Sequence, residues 1–222
     1  MKVTFLGQAG LLFDTGTVKA LIDPYFTDSA FGVSGVHRRI PVPESVWDIK
    51  PDVVMFTHDH IDHYDPGTAE KFVNENTRVT VLSPRSVWEK IVLCGGANNY
   101  VLMSPNVQWT QGDLTVIAVA AAHSDPFAVG FVLCSGEKRV YVTGDTLFSR
   151  GVSLPYESVD YIFLPVNGRG NNMNAADASQ LAKLVNAKTA VPIHCGMLDD
   201  IDPRVFEYDN TLIMKEFNEY EL

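Results

Sequence analysis

The chain has 222 residues, 46% of them hydrophobic, three cysteines and a formal net charge of −10. That content supports a sizeable core in one domain spanning residues 1–222 and excludes a disordered chain. The acidic balance, with no Lys/Arg run longer than Arg38-Arg39, argues against nucleic acid as a partner; no stretch approaches the ~20 apolar residues of a membrane helix, and an odd cysteine count without metal-ribbon spacing suits free thiols in a reducing compartment.

Strand patterns open the chain at residues 2–6, 10–14 and 18–23, rich in β-branched and aromatic side chains and bounded by turn formers. The start runs from Met1 directly into the first of them, so a cytoplasmic, unsecreted protein is expected. Residues 27–50 mix turn formers with Phe31, Val36, Ile40 and Trp47 and read as an insertion near the site. Its apolar side chains fit either a lid or a contact between copies in a homo-oligomer, and His37 reads as an exposed loop residue.

A strand over 53–57 then leads into Thr57-His58-Asp59-His60-Ile61-Asp62-His63-Tyr64-Asp65. Placing three imidazoles and three carboxylates at the end of a buried strand carries a heavy desolvation cost unless a cation or many hydrogen bonds compensate. Neutral imidazoles spaced two and three residues apart suit zinc, manganese or iron.

Helices are expected from Pro66 to about Asn74 and from Pro84 to about Leu93, the second with Ser83 as N-cap, and a strand over 78–82 lies between them. Gly95-Gly96 ends the second helix. No Lys-Ser/Thr follows it, so a nucleotide loop is not expected. Further strands are predicted at 114–120, 128–134, 138–143, 159–165 and 189–194, with a hairpin turning at Gly136. Between the last two, Ala175 to about Asn186 reads as a helix capped by Asn174, with Ala178, Leu181, Ala182 and Val185 on one face. Val205, Phe206, Leu212, Ile213, Met214 and Phe217 suggest a final docked helix after Pro203.

Three more residues of this half follow apolar strands: His123 after Ala120-Ala121-Ala122, Asp145 in Thr143-Gly144-Asp145-Thr146, and His194 in Pro192-Ile193-His194. Taken alone, His123 reads as a core residue and Asp145 as a turn residue. Cys195 reads as a small buried thiol.

Together, the run His58-x-His60-x-Asp62-His63 with Asp145 and His194 resembles the metallo-β-lactamase superfamily of metal-dependent hydrolases. The stretches Gly7-Gln8-Ala9-Gly10-Leu11-Leu12-Phe13 and Leu21-Ile22-Asp23-Pro24-Tyr25 look like its opening hairpin. The resemblance implies an α+β fold, a four-layer αββα sandwich of two mixed sheets flanked by helices. It implies two divalent metal ions, zinc or manganese with iron a third candidate: His58, His60 and His123 on one, Asp62, His63 and His194 on the other, and Asp145 bridging them. A hydroxide shared by the ions would be the nucleophile, with Asp62 as the catalytic group that orients it and passes its proton on. Asp59 and Asp65 fall outside the implied ligand set.

The segment Leu164-Pro165-Val166-Asn167-Gly168-Arg169-Gly170-Asn171-Asn172-Met173-Asn174 resembles a loop of the ascorbate 6-phosphate lactonase branch, and marks Asn167 and Arg169 as substrate contacts. The function so implied is hydrolysis of a small anionic or polar ester, lactone or phosphodiester, acting on a small molecule and not on nucleic acid or membrane. The reading from a different class is a non-catalytic metal-binding or sensing module on the same fold.

Overall fold

The computed structural model describes residues 1–152 and 154–222. Strands β1 (Lys2–Gly7), β2 (Gly10–Asp14), β3 (Lys19–Ile22), β4 (Val53–Met55), β5 (Thr80–Ser83) and β6 (Asn99–Leu102) share a sheet with β13 (Glu219–Glu221), in the order β13-β1-β2-β3-β4-β5-β6. The second sheet holds β7 (Gln108–Gln111), β8 (Leu114–Ala120), β9 (Val129–Ser135), β10 (Lys138–Val142), β11 (Tyr161–Pro165) and β12 (Thr189–Ile193), in the order β12-β11-β10-β9-β8-β7. Each sheet is antiparallel on one side and parallel on the other.

Period-two alternation places successive side chains on opposite faces of a strand, and both faces of these sheets are buried. Val53 and Met55 face the second sheet, where they join Val116, Phe131, Val142, Phe163 and Val191 in the central core. Phe13 and Phe163 meet edge to face across it at 5.7 Å, a geometry worth about 0.5–1.5 kcal/mol beyond area burial. Val54 and Phe56 face outward, under α2 (Pro66–Phe72) and α3 (Arg85–Ile91). On the other side Val132, Tyr141, Ile162 and Leu164 are covered by Ala178, Leu181 and Ala182 of α4 (Ala175–Leu184), whose first turn Asn174 caps through Asp177 N. The four layers are those the sequence predicts.

Some local expectations are corrected. The second helix begins one residue late: Pro84 occupies the N-cap position, and Ser83 is the last residue of β5, with its hydroxyl unpaired in the core rather than capping. Strands β6, β7 and β13 went unpredicted because β6 and β7 are only half-buried and polar-rich, as edge strands of their sheets are. No helix follows Pro203 among the described residues. A short 3-10 turn at Pro203–Val205 gives way to irregular chain and then to β13, which pairs with β1 and closes that edge. The reason lies in where the apolar anchors go: Phe206 packs with the α4 layer, Met214 enters the central core, and Phe217 joins the α2/α3 layer. One helix face cannot serve three separate clusters.

Within the insertion, a single turn α1 (Phe31–Ser34) and a 3-10 turn at Glu44–Asp48 form. Its second half covers the outer face of the first sheet, with Val46 buried and Trp47 edge-on to Phe26. His37 is exposed and stacks on Phe31. No helix of the described residues is long and apolar enough to cross a membrane.

Candidate metal centre

Strands β1, β3, β4, β8, β10, β11 and β12 all run toward one rim of the sandwich, and the residues just past their carboxyl ends converge there. From the first sheet come Gln8, Asp23 and the loop His58–Asp65; from the second come His123, Asp145, Asn167 and His194. Two backbone hydrogen bonds tie the sheets at this rim, Val129 N to Thr57 O at 3.0 Å and His194 N to Gln8 O at 2.8 Å.

All seven residues implied as ligands lie together. Donor atoms of His58, His60, His123 and Asp145 fall within 4.8 Å of one another, and so do those of Asp62, His63 and His194. Asp145 reaches into the second group as well, with Oδ1 3.2 Å from His63 Nε2 and Oδ2 3.2 Å from His194 Nε2. His60 Nδ1 faces His123 Nε2 at 3.1 Å. Asp59 pairs with Lys90 at the surface, and Asp65 caps α2 and takes hydrogen bonds from Thr27 and Thr68, so neither joins the cluster.

A buried chain of hydrogen bonds fixes which ring nitrogens are free. Asp23 Oδ2 accepts from the Thr57 hydroxyl at 2.6 Å and from His63 Nδ1 at 2.8 Å, and the Thr57 oxygen in turn lies 3.0 Å from His58 Nδ1. With Nδ1 engaged in both rings, the Nε2 atoms of His58 and His63 point inward. His63 Nε2 faces Asp145, whereas His58 Nε2 is buried with no hydrogen-bond partner, a state that is expensive for a polar atom unless something accepts the lone pair. The donor set of imidazoles and carboxylates fits a divalent cation, which would occupy that position.

Sequence reasoning gave Asp23 no role. The signal was an aspartate ending an apolar strand directly before Pro24, on the same rim as the histidines. Replacing Asp23 by asparagine is expected to weaken divalent-ion binding about 10–100-fold, the usual effect of losing a carboxylate behind a ligand histidine. Titration with zinc under competition from a chromophoric chelator measures it; unchanged affinity would remove Asp23 from the centre.

Backbone strain concentrates here too. Gln8, Asp23 and His194 all have left-handed backbones, with φ of 53°, 43° and 57°. Such residues carry about 1–3 kcal/mol each and persist where the surrounding structure over-determines them. Gly144, immediately before Asp145, must be glycine: its φ is 60°, and a Cβ would stand 2.8 Å from Thr57 Cβ.

The charge balance is equally informative. Burial and the adjacent His63 hold His58 well below the ordinary histidine value. Burial also opposes charge on His63 and His194, yet Asp145 with Asp23 and Asp62 raises His63 well above that value, and Asp145 with Asp62 raises His194 to about 10. Burial likewise opposes ionisation of Asp145 and Asp62, but these same histidines hold both carboxyls below the usual range. Without a cation, then, protons on His63 and His194 supply the positive charge that the carboxylates require. An entering cation must displace them, so uptake is expected to release protons at pH 7 and to tighten as pH rises toward 10. Calorimetric zinc titrations in buffers of different ionisation enthalpy test this, and identical heats in all of them would contradict it.

A cleft of about 300 Å³ opens over the cluster, lined by Gln8, Asp62, Asp145, Asn167, Arg169 and Leu198 among others. Asn167 and Arg169 both reach it, but differently. The Asn167 carboxamide lies 3.1 Å from His194 Nδ1 and also meets Asp199, whereas the Arg169 side chain is 61% exposed and pairs with Asp200 at 3.3 Å. Asn172, unassigned from sequence, donates to Asp145 Oδ2 at 2.7 Å. Cys195 is buried beside His194, and burial pushes its thiol up to about 12, which removes it as a nucleophile.

A family profile described as the Beta-lactamase superfamily domain matches residues 19–195, a span that includes all seven residues of the cluster. The chain belongs to the β-lactamase superfamily. Among its relatives, a UPF0173 protein of Pyrococcus furiosus is 24% identical over 229 residues, covering 100% of this chain and 98% of its own. A UPF0173 metal-dependent hydrolase of Aeropyrum pernix is 29% identical over 230 residues, covering 93% and 88%. Of solved structures, Igni18, a metallo hydrolase from Ignicoccus hospitalis, shares the fold at a TM-score of 0.78 and 20% identity, covering 100% of this chain and 98% of that one. The isothiocyanate hydrolase from Delia radicum gut bacteria does so at 0.78 and 20%, covering 100% and 99%.

Proposed function

We propose that this superfamily member is a metal-dependent hydrolase of a small polar or anionic ester, lactone or phosphodiester. His58, His60, His123 and Asp145 would hold one divalent ion, and Asp62, His63 and His194, sharing Asp145, a second. The observation that carries the reading is the buried, unpartnered Nε2 atom of His58 within a set of imidazoles and carboxylates. Relatives named as metal-dependent hydrolases, matched along nearly their whole length, support it. Zinc and manganese both suit these donors, with iron as the third candidate. Such ions supply Lewis acidity toward the attacked group and bring the pKa of water toward neutrality.

The chain supplies the rest. Asp62 is partly exposed in the cleft, where its ionised carboxylate can take up a proton and pass it to a leaving group. Asn172 fixes Asp145, and Asn167 fixes His194, so the cluster keeps its geometry as a substrate enters. The cleft is small and most of the residues that line it are polar or charged, which favours a compact polar substrate over a long acyl chain. Arg169 stands at its edge with a planar fork suited to a carboxylate or phosphate.

The test is elemental analysis of protein purified without added metal, followed by a panel of lactones, esters and phosphodiesters assayed with the ion found. Turnover that a chelator abolishes and the same ion restores supports the hydrolase. Tight ion binding with no turnover across the panel assigns the fold to a metal-binding or sensing module instead.

A further inference from the structure

Gln8 lies outside the His-x-His-x-Asp-His run, yet it is 2% exposed and sits between the two sheets at the site rim. Its main-chain carbonyl accepts from His194 N at 2.8 Å. Its side-chain Nε2 donates to Asp62 Oδ2 at 2.7 Å. The same nitrogen stands 3.0 Å from His194 Nε2 and 3.4 Å from His194 Nδ1. A group lying in the ring plane on the lone pair of one imidazole nitrogen is much farther from the other. Near-equal distances therefore put the carboxamide over the face of the ring, where it leaves the Nε2 lone pair open.

We propose that Gln8 is the positioning residue for the Asp62, His63 and His194 half of the centre: it holds Asp62 by one oxygen and braces the His194 ring by its face. This rests on the two-ion reading above. The residue type fits the task. A lysine or arginine here would anchor Asp62 but repel an entering cation, and a glutamate would repel Asp62; a neutral amide donates to the carboxylate without adding charge. The backbone points the same way. Gln8 takes a left-handed conformation, φ 53°, directly after Gly7, so the chain keeps a side chain where glycine would be the relaxed choice. A purely structural turn has no need of that carboxamide.

The experiment is a titration of cobalt(II) into the full-length wild-type protein and two variants, following stoichiometry by calorimetry and the visible ligand-field spectrum. Gln8→Gly deletes the side chain while relieving the backbone, so loss of fold cannot account for its effect. Gln8→Met preserves bulk over the His194 ring and deletes only the donor. The expected result is that wild type takes two ions, that both variants take the first with unchanged affinity, and that both bind the second about 10–100-fold more weakly with an altered spectrum. Second-ion binding at wild-type strength in both variants overturns the proposal, as does a defect in Gln8→Gly that Gln8→Met does not share, because that pattern assigns Gln8 to packing alone. A wild-type protein that takes up one ion fails differently: it removes the two-ion reading itself, and this inference with it.

Discussion

Asp145→Ala is expected to strip the centre of metal and to end turnover. Asp145 is buried, and its two oxygens reach His63 Nε2 and His194 Nε2 at 3.2 Å each while Oδ2 lies 4.0 Å from His58 Nε2. Among the described residues it is the one carboxylate that meets both groups of the cluster. Removing one partner from a buried charged set costs about 3–5 kcal/mol, because the groups left behind cannot return to water. Spent on ion affinity, that is about two to four powers of ten. Asp145→Asn, of the same shape, separates charge from volume and should lose nearly as much. Metal content after gel filtration in metal-free buffer decides the matter: retention at the wild-type level in Asp145→Ala would show that Asp145 is not a ligand.

Asp62→Asn is the second large effect, and it should fall on kcat. The asparagine retains an oxygen that can face the cluster but cannot take up or deliver a proton at neutral pH. Loss of a positioned proton-transfer group lowers turnover about 10²–10⁴-fold. A change in KM much smaller than the change in kcat is expected, since Arg169 and the other residues that line the cleft are untouched. If activity falls only in step with lost metal and returns when excess ion is supplied, Asp62 holds an ion and transfers no proton.

The layered fold is legible in the sequence because each buried strand announces itself by composition and by the turns around it, as at Val53-Val54-Met55 and Val140-Tyr141-Val142. The ligand run is legible for a different reason: three histidines and three aspartates crowd into the eight positions 58–65 after one such strand. His123 and Asp145 are not legible alone. Each sits in a local context that packing or a turn would explain, and only the wider resemblance singles them out. The residues that support the ligands are harder still. Asp23, Gln8 and Asn172 act across 40, 54 and 27 positions of sequence on His63, Asp62 and Asp145, so no local pattern records them. The missed C-terminal strand has the same origin, since β13 exists only because β1 offers it an edge.

The donors are divided between the two sheets: His58, His60, Asp62 and His63 hang from the first, and His123, Asp145 and His194 from the second. A cation shared among them would thus be a clasp across the sandwich as well as a reagent. Whatever the folded chain binds and the unfolded chain does not adds to its stability, by about 2.7 kcal/mol when free ion is a hundredfold above its dissociation constant. The converse follows as well. Side chains that set the gap between the sheets, such as Phe13 and Phe163 in the central core, would also set how far apart the two halves of the clasp stand, so substitutions in the interior are expected to reach the chemistry without touching it.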